Sequence, residues 1–139
     1  MQLTEDNVAD YAATLVERLR TGGYALDYTE ASLAIIEGLL RVNDSQFQKT
    51  DKTDLPDAHR DMVIFYNGCY VGEVLSRNLG GVWRFEENWS DSSLVFAHRD
   101  GGIQLFPFQK VFRRVTEGPE ENDLVAYYQG LREQLETAS

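Results

Sequence analysis

Two observations along the chain predict an α+β fold. Apolar residues recur at helical spacing before Gly80 and after Pro107, and between those points the rhythm changes to alternation. The predicted order is three N-terminal helices, a three-stranded antiparallel meander and two C-terminal helices, with a single layer of sheet covered by helices. A sheet segregated in this way offers no strand-order reversal at which a dinucleotide would bind. At 139 residues the chain is expected to form one α+β domain, 1–139, burying about two-thirds of its unfolded surface around one core.

The first helix has Thr4 as N-cap, Glu5 and Asp6 in its first turn, and a stripe of Val8, Tyr11, Ala12, Leu15 and Leu19. Gly22-Gly23 ends it, and Tyr24 to Tyr28 connects to a second helix starting near Thr29. That helix carries Leu33, Ile36 and Leu40 on one face, widened by Ile35, Leu39 and Val42. The polar stretch from Asn43 to Leu55 is predicted to be a loop. Pro56 precedes a long third helix, Asp57 to Leu79, whose Met62, Phe65, Tyr66, Cys69, Val71, Val74 and Leu75 cover more than one stripe. Gly68 and Gly72 lie one turn apart within it, cost helix propensity, and point to close packing against a neighbour.

After Gly80-Gly81, Val82 to Glu86 alternates with Trp83 and Phe85 on one side. Leu94 to His98 is the second strand, Asp100-Gly101-Gly102 the hairpin turn, and Ile103 to Phe106 the returning strand. Pro107 opens a fourth helix with Phe108, Val111, Phe112 and Val115 inward and Lys110, Arg113 and Arg114 outward. Asn122 is the predicted cap of the last helix, whose stripe is Leu124, Tyr127, Tyr128, Leu131 and Leu135.

Charge narrows the range of partners. Thirteen basic against 23 acidic side chains give a formal −10, which repels nucleic-acid backbones and anionic membranes and favours a basic partner. No stretch reaches the roughly 18 consecutive apolar residues of a spanning helix. The polar, acidic start lacks the pattern of an export signal, and the single cysteine, Cys69, excludes an internal disulfide. Together these predict a cytoplasmic protein, and the N-x-S triplets at Asn43 and Asn88 are then coincidental.

The chemistry-bearing residues give no catalytic constellation. The glycine doublets end elements and match no phosphate-binding pattern. His59 and His98 fall on different element types, and Cys69 does not complete a ligand set, so neither a metal nor another cofactor is expected. Ser90, Ser92 and Ser93 near His98 and Asp100 are loop serines without a strained elbow to present them. Cys69 is expected to be a small buried hydrophobe rather than a reactive thiol.

Glu73 stands out inside the most apolar helix, with Arg77 four residues on. A structural role, as an ion pair or a hydrogen bond to the backbone of the meander, is the preferred reading, and a general base with a raised pKa is the other. Trp89 lies among Glu86, Glu87, Asn88 and Asp91, and two readings fit it: a binding anchor, or a ring folded back over the sheet edge. Lys110, Arg113 and Arg114 form a basic face that either grips an anion or offsets the acidic turn Glu117-Gly118-Pro119-Glu120-Glu121.

The run Gly68-Cys69-Tyr70-Val71-Gly72-Glu73-Val74-Leu75, then Leu79-Gly80-Gly81-Val82-Trp83, resembles a family of small bacterial domains of unknown function. Members carry a G-x-Y-x-G-E-V helix leading through glycine into a tryptophan strand. The block Phe106-Pro107-Phe108-Gln109-Lys110-Val111-Phe112-Arg113-Arg114 is similar to the family's second block, and the resemblance spans roughly residues 60–131. It implies a fold and a bacterial origin but no chemistry. By analogy with other small acidic bacterial domains, an immunity or adaptor role is expected.

The expected function is therefore non-enzymatic protein binding, toward a basic partner, through Glu86, Glu87, Trp89, Asp91, Lys110 and Arg113. One alternative is a small enzyme using Glu73 or His98 as acid or base. Another is a homodimeric structural protein, for which an apolar patch on the first or last helix would be the sign.

Overall fold

The computed structural model describes residues 2–49, 57–98 and 101–137. Among the described residues, five helices and an open three-stranded antiparallel sheet follow one another as helices, strands, helices, so the architecture is α+β.

α1 (Glu5–Thr21) starts at a capping box: Asn7 N–H donates to Thr4 Oγ1 at 3.2 Å, and Thr4 N–H donates to Asn7 Oδ1 at 2.6 Å. Its buried Val8, Ala12 and Leu15 pack on α3 (Asp57–Leu79), the central helix of the molecule. α2 (Glu30–Lys49) runs beyond its predicted end. The stretch from Asn43 was expected to be a loop, but the helix continues to Lys49; residues 50–56, including Pro56, lie outside the described residues. No glycine or proline lies between Asn43 and Lys49, so the polar composition alone does not break the helix. Val42, expected to widen the buried face, is exposed.

The sheet is β1 (Val82–Arg84), β2 (Ser93–Phe96) and β3 (Ile103–Leu105), in that order. Trp83 pairs with Leu94 and Leu94 with Leu105, which places these three on the face toward the helices. A single 3-10 turn, Trp89–Asp91, lies between β1 and β2. Asp100 of the predicted hairpin turn lies outside the described residues, while Gly101 and Gly102 both have positive φ and Gly101 N–H donates to the His98 carbonyl.

α4 (Pro107–Glu117) packs on α3 and α2, and α5 (Leu124–Thr137) packs on α2. Two side chains of α4 exchange their expected places: Arg114 is fully buried, and Phe112 is 46% exposed. The helix is covered on its α2 flank as well as on its centre line, so the buried arc shifts toward Arg114 and away from Phe112. The cap of α5 is Asp123, whose Oδ1 accepts the Ala126 N–H at 2.9 Å. Asn122, the expected cap, instead turns back to donate to the Gly118 carbonyl.

The glycine-containing run of α3 has a packing explanation. A Cβ on Gly68 would sit 2.3 Å from the Phe108 ring, and one on Gly72 would sit 2.2 Å from the Trp83 ring. Only hydrogen fits at either position, so the two glycines let α4 and β1 close onto the helix backbone. Between them, buried Tyr70 places its hydroxyl to accept the Tyr28 N–H at 2.9 Å and to bond Ser32 Oγ at 2.6 Å. Tyr28 has φ 64°, an unfavourable backbone for an aromatic residue. It is held there by that bond, by Asn78 donating to its carbonyl, and by the Arg77 guanidinium 3.8 Å over its ring.

Candidate functional site

Glu73 is buried, and both of its oxygens are committed. Oε1 accepts from Arg77 at 3.1 Å and Oε2 from the Trp83 indole N–H at 2.9 Å. The carboxylate thus fastens the first strand to α3, directly beside the glycine that admits the Trp83 ring. Cys69, fully buried on the same helix, has its thiol pushed up by burial and then by the Glu73 charge, which keeps it protonated and unreactive. Glu73→Ala is expected to lower stability by about 2 kcal/mol, the range of a hydrogen bond to a charged group. Glu73→Gln, which still accepts from Trp83, should cost less. Thermal melts of the two variants check this, and a melt of Glu73→Ala matching the wild type would remove Glu73 from the fold's support.

A larger buried charge pair was not foreseen from the sequence. Arg114 donates through Nε to both Glu37 oxygens at 2.8 and 2.9 Å and through an η nitrogen at 2.6 Å. The Leu124 N–H donates to Glu37 at 3.1 Å, and Arg41 bridges Glu37 and Asp123 at 3.2 and 3.1 Å. Burial pushes the Asp123 carboxyl up, but the Ala126 amide and Arg41 outweigh it and hold the group below its usual value. The signal in the sequence is a lone carboxylate in the run Ile35-Ile36-Glu37-Gly38-Leu39-Leu40.

The acidic candidates sit on an ordered turn. Glu86 N–H donates to Ser92 Oγ at 3.2 Å, Asn88 Oδ1 accepts from Ser90 N–H at 3.3 Å, and Gln2 donates to the Glu86 carbonyl at 3.3 Å. Glu86, Glu87 and Asp91 are exposed and line a hollow of about 550 Å³ with Asn88, Gln104, Phe106 and Gln109. Among the described residues, no cation pairs with any of the three.

Trp89 is half-buried, its ring making edge contacts with Phe65 at 5.0 Å and Phe108 at 5.2 Å. It is folded onto the helices, yet it still walls a second hollow of about 480 Å³ with Ile64, Phe108 and Phe112. Asn88 and Gln109 line both hollows, so the two adjoin. Lys110 and Arg113 line a third, smaller hollow that shares Gln104, Phe106 and Gln109 with the acidic one. The structure therefore brings all six candidate residues onto one face around Gln109.

Lys110 is occupied on that face. Its ammonium donates to the Glu121 carbonyl at 3.2 Å and lies 4.9 Å over the Tyr127 ring. Burial, and next the charge of Arg113, hold it below the usual lysine value. Arg113 remains exposed.

Glu73 and His98 are not brought together: His98 lies 3.3 Å from the Gln134 carbonyl of α5, and neither residue lines these hollows. Among the described residues, no group of three or more His, Cys, Asp or Glu could hold a metal ion, and no helix is long and apolar enough to cross a membrane. Comparison with family models, with curated proteins and with solved structures finds no match.

Proposed function

We propose that the protein is a non-enzymatic binding domain whose face around Gln109 docks a basic protein partner. The observation that carries this is the cluster of three exposed carboxylates, unpaired by any cation among the described residues, on a turn held by its own hydrogen bonds. Ordered, unneutralised charge speeds encounter with an oppositely charged surface and requires little reorganisation on docking. The net charge of −10 adds a long-range field of the same sign. An immunity or adaptor role in a bacterial cytoplasm, in keeping with the resemblance over residues 60–131, belongs to the same proposal.

The enzymatic alternative has less support, since both Glu73 oxygens are committed to structural donors. Nor do the exposed large apolar side chains found among the described residues, Tyr24, Val42, Met62, Val82 and Phe112, form a patch on α1 or α5 that would favour a homodimer.

The test is capture of a partner from the native host, followed by surface kinetics at two salt concentrations. The triple variant Glu86→Lys, Glu87→Lys, Asp91→Lys is expected to lower the association rate on the order of tenfold and to flatten its salt dependence. Association indistinguishable from wild type at both salt concentrations would remove this face as the docking surface.

A further inference from the structure

We infer that the hollow beside the acidic turn takes an apolar side chain, so that the partner is recognised through a basic residue and an apolar residue carried next to each other. The inference rests on the docking face proposed above and adds the chemistry of what it reads. The hollow is walled by Ile64, Trp89, Phe108 and Phe112, and among the described residues Asp61 is the one charged side chain that lines it. Its walls are preformed. Phe108 is fully buried, and Trp89 is fixed by ring contacts to Phe65 and Phe108, so an incoming side chain would order little that is not already ordered. Phe112 keeps 46% of its surface exposed on a helix whose opposite flank is sealed. It is the apolar area that such an occupant would cover.

Charge selects the occupant. Among the described residues, no lysine or arginine lines this hollow or the acidic one adjoining it, while Asp61, Glu86, Glu87 and Asp91 do. A second copy of this chain would bring another surface of the same sign, and a two-fold interface would set identical acidic rims against each other. A basic partner gains at both hollows at once: its cation meets the carboxylates, with the Phe106 ring lining the same hollow, and its neighbouring apolar side chain enters past the Asn88 and Gln109 ridge. Carboxylates alone would accept any cationic surface, so the apolar hollow supplies the discrimination.

The probes are three capped peptides, Gly-Arg-Leu-Arg-Gly, Gly-Arg-Gly-Arg-Gly and Gly-Glu-Leu-Glu-Gly, titrated into the isotope-labelled full chain and followed by nitrogen–proton correlation spectra. The two indole N–H signals report directly. That of Trp89 belongs to the hollow, and that of Trp83, bonded to Glu73, serves as an internal control. The Arg-Leu-Arg peptide is expected to shift Trp89 and Phe112 and to bind about fivefold more tightly than Arg-Gly-Arg, as partial burial of one leucine allows. Trp83 should not move, and Glu-Leu-Glu should leave both indoles unchanged. Phe112→Asp, a change at an exposed position, should erase the difference between the two arginine peptides.

Equal affinities for the leucine and glycine peptides would overturn the inference. If both then still shift the amides of Glu86, Glu87 and Asp91, the acidic docking face survives without it. If no arginine peptide moves those amides, the docking face and the inference fall together.

Discussion

Replacing Arg114 by alanine should lower stability by about 3–5 kcal/mol, the range found when one partner of a buried ion pair is removed. Glu37, 4% exposed in the intact protein, would keep the Leu124 amide and the half-exposed Arg41 but lose the guanidinium that satisfies both of its oxygens. Little water can reach the carboxylate, because Arg114 and Glu37 lie at the junction of α2, α4 and α5. The double variant Arg114→Met with Glu37→Leu should recover most of the loss, since it removes the desolvation of both charges and fills similar volume. Urea unfolding checks both variants, provided that the midpoint moves and the slope does not. A single variant within about 1 kcal/mol of wild type would mean that Arg41 alone suffices as the counter-charge.

Phe108→Ala is expected to be comparably damaging, at about 3–5 kcal/mol, because it combines lost transfer energy with a cavity that its neighbours cannot close. The ring is fully buried and meets Phe65, Trp83 and Trp89 at centroid distances of 6.2, 6.0 and 5.2 Å. Gly68 faces the same ring from α3 and has no side chain with which to fill the space. The loss should be accompanied by a weaker near-ultraviolet circular dichroism signal, since both tryptophans lose a fixed neighbour. An unaltered aromatic spectrum together with an unaltered urea midpoint would show that the aromatic cluster is held without it.

Much of the fold was legible in the sequence for a plain reason. The period of the apolar pattern changes at Gly80 and again at Pro107, and element type follows period. What the pattern does not encode is which neighbour covers each flank. Phe112 and Arg114 lie on opposite sides of the Phe108–Val111–Val115 stripe, and only the presence of α2 on one side decides that arginine goes in and phenylalanine stays out. Composition misled at residues 43–49, where a polar stretch without glycine or proline reads as a loop but continues the helix. In the candidate site, the individual acids were visible from the clustering of Glu86, Glu87 and Asp91 around Trp89. Their neighbourhood with Gln109 and Phe112 was not, because those side chains come from a helix that follows the whole sheet.

The Glu37 carboxylate joins segments 77 and 87 residues apart in the chain. Closing a junction of that span carries the entropy of a long loop, whereas contacts within one helix do not. The pair is therefore expected to form late in folding, outside any local nucleus. It also divides the behaviour of α5. The end at Leu124 lifts away only by giving up its amide's bond to Glu37 and exposing the buried Leu124 side chain, so its opening costs more than fraying at the far end. Farther along the helix, Tyr128 and Leu131 are still buried, but the bonds of Gln129 and Arg132 to Glu30 are partly exposed and open to replacement by water. Exchange of backbone hydrogens along this helix should therefore be graded, slowest at the end that meets Glu37.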